Sequence, residues 1–149
     1  VISEDKIRGY RNFATKIWNV ARFILLNYDS EFEKISPAFT KEDKKNLAEL
    51  KIIGKKFTKD IETFKFHEAT QKIYHYFWHE FADKIIESSK LRLKSDKIID
   101  RATAFKLDLE ILRICLKLLH PFMPFITEEI WRELPVKNKK LLMIESWEF

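Results

Sequence analysis

Two prolines, Pro121 and Pro124, interrupt a stretch that is otherwise largely apolar from Leu118 to Trp131. Proline donates no backbone hydrogen bond and disfavours helix in the residue before it, so a helix arriving from the Asp96 region is expected to end near His120. A new helix restarts over residues 127–131, with Pro124 tolerated in its first turn and Glu128 and Glu129 near the positive end of its dipole. Phe122, Met123, Phe125, Ile126, Ile130 and Trp131 cannot all face water. The corner is therefore expected to be clamped by the preceding helices and to fix the angle between the last two.

Only two glycines and four prolines occur in 149 residues, which leaves little turn chemistry for a multi-stranded sheet and makes helix the default. A chain of this length suits one domain that buries roughly 70% of its unfolded surface. No apolar run approaches the ~20 residues of a membrane span, so no membrane partner is expected. The basic amphipathic start lacks the apolar stretch and small-residue cleavage site of a signal peptide. Val1 in place of Met fits a domain excised from a longer protein. Cys115, the single cysteine, lies in an apolar helical run and reads as a buried thiol of a reducing, cytoplasmic compartment.

Apolar periodicity divides the chain into five helices. The first spans residues 6–28 with a stripe at Ile7, Tyr10, Ala14, Ile17, Ala21, Ile24 and Tyr28, and Ser3 is its candidate cap. Thr40 and Asp43 resemble a capped start for the second, residues 41–64, whose stripe is Leu47, Leu50, Gly54, Phe57, Ile61 and Phe64. Gly54 costs about 1 kcal/mol of helix stability relative to Ala, and close approach of a neighbouring helix is the expected return. The third runs from residue 66 to about 88 with a wide apolar face, followed by a basic connector over 88–95. The fourth, residues 97–119, is apolar over so much of its circumference that it belongs in the middle of the bundle. The fifth ends before Pro135, and residues 141–147 form a short extended segment that packs Trp147 back. These elements make one all-α domain, a five-helix bundle over about 5–134 with a C-terminal appendage over about 135–149.

The formal charge of +5 suits nucleic acid or another anionic partner without choosing between them. Position is more informative. Arg8, Arg11, Thr15, Asn19 and Arg22 fall within an arc of roughly 80° on the first helix at about 100° per residue. Single-stranded RNA loops are gripped by such cations, by stacking on aromatic or guanidinium planes, and by hydrogen bonds to base edges. Trp18 borders the arc. The competing view makes Trp18 and Phe23 core residues and the arginines ordinary surface pairs. His75 and His79 stand at a metal-compatible spacing, but with one cysteine and only His67 and His120 elsewhere no complete site is expected. Glu128 with Glu129, and Asp83 with Glu87, read as helix-start charges and surface pairs. Gly9 and Gly54 stand alone, so there is no phosphate loop, and no nucleophile and base pair emerges.

Three segments, in order, resemble the helical anticodon-binding domain of the valyl-tRNA synthetase family. They are Arg11-Asn-Phe-Ala-Thr-Lys-Ile-Trp-Asn-Val-Ala-Arg-Phe23, Trp78-His-Glu-Phe-Ala-Asp-Lys-Ile-Ile-Glu-Ser-Ser-Lys90 and Leu118-Leu-His-Pro-Phe-Met-Pro-Phe-Ile-Thr-Glu-Glu-Ile-Trp131. The resemblance implies a bundle of the class I aminoacyl-tRNA synthetase type that reads the central and third bases in the anticodon stem-loop of tRNA(Val). Its other implied partner is the catalytic domain of the same polypeptide, reached through the start of the first helix. ATP and the His-Ile-Gly-His and Lys-Met-Ser-Lys-Ser signatures belong to that domain. Neither signature occurs here, so no cofactor and no catalytic residue are expected in this stretch, nor does the family's coiled-coil arm follow before Phe149. Carried onto this sequence, Arg8, Arg11 and Arg22 become candidates for contact with loop bases or phosphates, Asn19 for a base edge, and Lys16, Lys44 and Lys45 for phosphate attraction. One departure stands out: the family's Asp-Arg-aromatic string is Asp43-Lys44-Lys45 here, so either Phe39 stacks instead or charge and guanidinium stacking hold the base. Two rivals remain, an isoleucyl-type anticodon domain and a helical protein-interaction module built on Tyr76, Phe77 and Trp78.

Overall fold

The structure is a computed structural model that describes residues 3–149. Helix α1 (Glu4–Leu26) starts at Ser3, whose hydroxyl accepts from the Lys6 amide at 3.3 Å. Helix α2 (Lys41–Glu62) opens with a full capping box: Thr40 Oγ1 accepts from the Asp43 amide at 3.1 Å, and the Asp43 carboxylate accepts from the Thr40 amide at 2.9 Å. Helix α3 occupies residues 66–93 and changes pitch twice, α over Phe66–His75, π over Tyr76–Ile85 and α again over Ile86–Leu93. Helices α4 (Ile98–Leu119) and α5 (Pro124–Glu133) flank the proline corner, and two 3-10 turns lie at Ser30–Lys34 and Leu142–Ile144. No strand occurs among the described residues, and the chain is the all-α, five-helix bundle that its periodicity predicts.

Side-chain contacts set the helix directions. Phe13 meets Tyr74 with ring centroids 4.5 Å apart, and Lys90 lies over Phe23 at 5.8 Å, so α1 and α3 run the same way. Asp43 at the start of α2 meets Arg92 near the end of α3, and Asp60 meets Lys72, so α2 runs opposite to α3. Ser89 pairs with Asp108, and α4 also opposes α3. Contacts of His120 with Thr127 and of Arg113 with Trp131 make α5 antiparallel to α4. One end of the bundle therefore gathers the ends of α1, α3 and α5 with the starts of α2 and α4; a salt bridge from Lys137 to Glu33 at 2.8 Å crosses it.

Helix α4 fills the middle as expected, with Ala102 through Phe105, Leu107, Asp108, Ile111, Leu112, Ile114 through Leu116, Leu118 and Leu119 all buried. The corner also behaves as expected, except that α5 already starts at Pro124 and so carries Glu128 and Glu129 beyond its first turn, away from the positive end of its dipole. His120 caps α4, the amides of Phe122 and Met123 both return to the Leu119 carbonyl, and Ile130 and Trp131 are buried. Phe125 is a further exception at 90% exposed. It sits in the first turn of α5, at a shallow groove shared with His120 and Met143.

Several expectations are corrected. Ile7 and Tyr10 are 57% and 66% exposed, because no neighbouring helix covers α1 before Phe13; the buried stripe is Phe13, Ile17, Val20, Ala21 and Ile24, and Tyr28 is also exposed. Phe64 leaves its stripe, since α2 stops at Glu62 and Phe64 takes φ 59° to reverse the chain. The Lys65 amide then closes the helix end on the Asp60 carbonyl at 2.7 Å. The basic connector expected over 88–95 is mostly helix, continuing to Leu93. Gly54 makes room for the Phe149 ring rather than for a helix: a Cβ there would lie 2.3 Å from Phe149 Cδ1.

Phe149 belongs to the returning C-terminal segment, which is extended on both sides of its 3-10 turn. Trp147 does pack back, donating from Nε1 to Thr58 Oγ1 at 2.8 Å beside Phe57. Lys139 pins the segment's start, its ammonium donating to the Trp131, Arg132 and Leu134 carbonyls where α5 ends.

A buried polar cluster ties three helices together. Asp43, 4% exposed, accepts from Arg92 Nη1 at 2.8 Å, and Asp108, 1% exposed, accepts from Ser89 Oγ at 2.7 Å while its second oxygen has no partner. Burial pushes the Asp108 carboxyl up to about 8, against the pull of Ser89 and Arg92. The folded chain thus keeps a proton that the unfolded chain releases, so this group's contribution falls as pH rises from the ordinary aspartate range toward 8 and is flat beyond it. Each pH unit in that window is worth about 1.4 kcal/mol. Asp108→Asn should remove the dependence, and melting curves from pH 5 to 8 should show its Tm gaining steadily on wild type. Asp43→Ala, which strands Arg92 and deletes the capping box, should cost about 3 kcal/mol in urea unfolding.

Candidate nucleic-acid interface

The donor-bearing arc of α1 survives folding as an exposed ridge. Arg8, Arg11, Asn19 and Arg22 all face solvent on the side away from the Phe13 to Ile24 stripe. At 1.5 Å per residue the ridge from Arg8 to Arg22 is about 21 Å long. Arg11 and Arg22 form no salt bridge within 4 Å among the described residues, and Arg8 has only a loose one to Asp5 at 3.9 Å. Thr15, in the same arc, spends its hydroxyl on the Arg11 carbonyl at 3.0 Å.

The remaining lysines divide. Lys16 lies about 140° round the helix from Arg11. Its ammonium is 3.0 Å from Asp83 and 5.3 Å over the Trp78 ring, which holds α1 to α3 instead of facing solvent. Lys44 and Lys45 are exposed in the first turns of α2, Lys45 loosely paired with Glu49 at 4.0 Å. The Asp43 to Arg92 pair fixes that turn at the bundle end where α1 finishes. The structure therefore brings Arg22, Lys44 and Lys45 toward one end and leaves Arg8 and Arg11 toward the other.

Two further cations share the first group's end. Lys94 and Lys97 are exposed in the turn between α3 and α4, whereas Arg92 is committed to Asp43 and Arg101 to the Ser95 carbonyl at 2.6 Å. Their signal in the sequence was the basic run itself, read there as a connector. The exposed lysines of this group thus stand at the start of α2 and in the turn before α4, whereas the last turn of α1 has no basic residue.

The aromatic residues also sort themselves. Trp18 is 45% exposed and belongs to the surface, against the view that it is core. Phe23 is half-buried beneath Lys90. Phe39 is half-buried in a groove of about 630 Å³ against Lys106, Leu109 and Arg113 of α4, on a face of the bundle that the α1 ridge does not share. Tyr76 and Phe77 are buried, and Trp78 is stacked on Phe13 at 6.1 Å, so the aromatic surface proposed for protein binding does not exist.

A groove of about 380 Å³ opens between α1 and α5, lined by Trp18, Ala21, Arg22, Leu25, Leu26, Glu129, Ile130 and Glu133. His75 and His79 lie tilted with ring centroids 4.9 Å apart, and among the described residues no three His, Cys, Asp or Glu side chains are placed to hold a metal ion. Cys115 is fully buried, and burial raises its thiol above the usual range. No helix among the described residues is long and apolar enough to cross a membrane.

Comparison of the sequence with known proteins points to one family. The family model described as the anticodon-binding domain of tRNA ligase matches residues 43–149. The valine–tRNA ligase of Pseudothermotoga lettingae is 40% identical over 146 residues, covering 98% of this chain and 16% of that protein. The corresponding ligase of Petrotoga mobilis is 41% identical over 93% of this chain, and that of Thermotoga maritima 38% over 93%. In each case the chain spans 16% of the relative's length.

Proposed function

From its membership of the anticodon-binding domain family of tRNA ligases, we propose that this chain grips the anticodon stem-loop of tRNA(Val) and presents the tRNA to the catalytic domain of a valine–tRNA ligase. The observation that carries the reading is the solvent-facing, unpaired pair Arg11 and Arg22, with Asn19 between them on one face of a rigid helix. Guanidinium groups held this way neutralise phosphate or stack on a base, and the Asn19 amide both donates and accepts at a base edge. Arg8 extends the ridge. Lys44 and Lys45, with Lys94 and Lys97, supply a second positive field at the bundle end. Lys16 contributes field only, since its ammonium is held by Asp83.

On this reading the chain itself does no chemistry, works in the cytoplasm, and leaves ATP to the catalytic domain of the parent enzyme. The valine assignment, against an isoleucyl-type domain, is supported by the names and the coverage of the relatives. Phe39 does not take the place of the family's stacking aromatic on this reading, because its ring is half-buried against α4 away from the ridge. Guanidinium stacking is the alternative that its position favours.

Filter binding with tRNA(Val) and tRNA(Ile) transcripts tests the proposal. Binding should favour tRNA(Val) and weaken steeply with salt; Arg11→Ala should lower the slope of log K against log salt by about 0.7 to 0.9, the contribution of one phosphate contact. Arg22→Ala should weaken binding without changing helix content. Unchanged binding of both variants at low salt would remove the ridge from the interface.

A further inference from the structure

We propose that the groove between α1 and α5 is a pocket for one unpaired nucleobase, and that it selects a base bearing an exocyclic amino group over uracil. The proposal rests on the loop-binding reading above and names a specificity device within it.

The groove has the layers that a flat aromatic ligand requires. Ala21 and Ile130, each 2% exposed, form an apolar floor with Leu25. Trp18 stands at the wall with almost half of its surface free, and it has no hydrogen-bonded partner on its indole among the described residues. Such a ring offers stacking, the sequence-tolerant part of base recognition. Polar groups converge at the mouth: Arg22 from α1, and Glu129 and Glu133 from α5, which at four residues apart share one helix face.

Charge decides which part of a nucleotide fits. Two carboxylates line the groove, and it runs beside the last turns of α1 and α5, whose carbonyl ends carry partial negative charge. Arg132 is the basic residue in the last turn of α5, and it lies 3.6 Å from Glu129. A phosphate is therefore repelled from the groove, although it is welcome on the ridge outside. A base edge is different. Cytosine, adenine and guanine each carry an amino group that donates to a carboxylate, whereas uracil turns a carbonyl oxygen toward it. Arg22, on the opposite side, is placed to donate to the ring acceptors beside that amino group. The pair of glutamates thus accepts, the arginine donates, and Trp18 stacks.

The test uses stem-loop RNAs that differ at a single loop position, cytosine against uracil, with each loop position examined in turn and binding read by fluorescence anisotropy at low salt. Wild type should lose about tenfold in affinity on changing cytosine to uracil at one position, within the range for a good base-edge contact. The double variant Glu129→Gln with Glu133→Gln should bind the two RNAs within about twofold, because a carboxamide both donates and accepts. Trp18→Ala should weaken binding of the cytosine RNA by about tenfold, and Trp18→Phe should restore most of it. Circular dichroism checks that these surface changes leave the helices intact. If wild type binds with no preference at any position, or if Trp18→Ala and the glutamine variant keep wild-type affinity and preference while Arg11→Ala weakens binding, the pocket is overturned and loop binding stands. If wild type binds no stem-loop better than a scrambled hairpin, both proposals fall.

Discussion

The structure depends on wrapping α4. A helix apolar on nearly every side is insoluble in isolation, and burying it from several directions requires at least one helix on each flank. Helices α1, α2, α3 and α5 supply those flanks, and from α2 onward their alternating directions follow from turns of three or four residues. The proline corner is one of the tightest of these connections: Pro121 and Pro124 force the chain out of α4 and straight into α5, so α5 folds back along the helix it has just left. Fixing α5 there also fixes one wall of the groove beside α1.

Inside this apolar axle sits a carboxyl, Asp108, with one oxygen unpartnered. Its neighbours explain how the bundle tolerates it. Ser89 donates to it, and the proton that burial retains removes the charge. The adjacent Asp43 keeps its own charge company with Arg92 and with the Thr40 amide. The two acids therefore solve the same desolvation problem in different ways, one by protonation and one by pairing. Their joint effect is to register the start of α2 against the end of α3, which sets where Lys44, Lys45 and Lys94 stand.

Periodicity made the helices, their order and the central place of α4 legible in the sequence, because burial of one face is a local pattern repeated along each segment. It failed where the answer lay in another segment. Ile7 and Tyr10 carry the right spacing but have no neighbour, and nothing within α1 records where its partners stop. Gly54 advertised a close approach without naming Phe149, ninety-five positions away, as the visitor. The π stretch of α3 did leave a trace, since Tyr76, Phe81 and Ile86 recur every five residues, as do Phe77 and Ala82. That spacing suits a helix bonded five residues apart and was absorbed into a generally wide apolar face. For the interface, the α1 ridge was readable because helical geometry alone aligns Arg11 with Arg22. Lys16 was never part of that arc, since the same geometry turns it about 140° away, and the groove was invisible because Glu129 and Glu133 acquire meaning only beside Trp18.

On the proposed reading, the two kinds of charge at the bundle end divide the labour of gripping a loop. Helix ends are electrically asymmetric: the start of α2 welcomes anions and carries lysines, whereas the ends of α1 and α5 repel them and α5 adds two glutamates. A folded RNA loop has the matching asymmetry, with phosphates outside and amino-bearing base edges where bases splay. A uniformly basic surface would attract any polyanion with equal ease. Setting an acidic, aromatic-edged groove within reach of a guanidinium ridge makes tight contact conditional on a base leaving its stack, so duplex RNA gains the field without gaining the pocket. Selectivity for an open loop then follows from the placement of carboxylates that a count of net charge would treat as a defect.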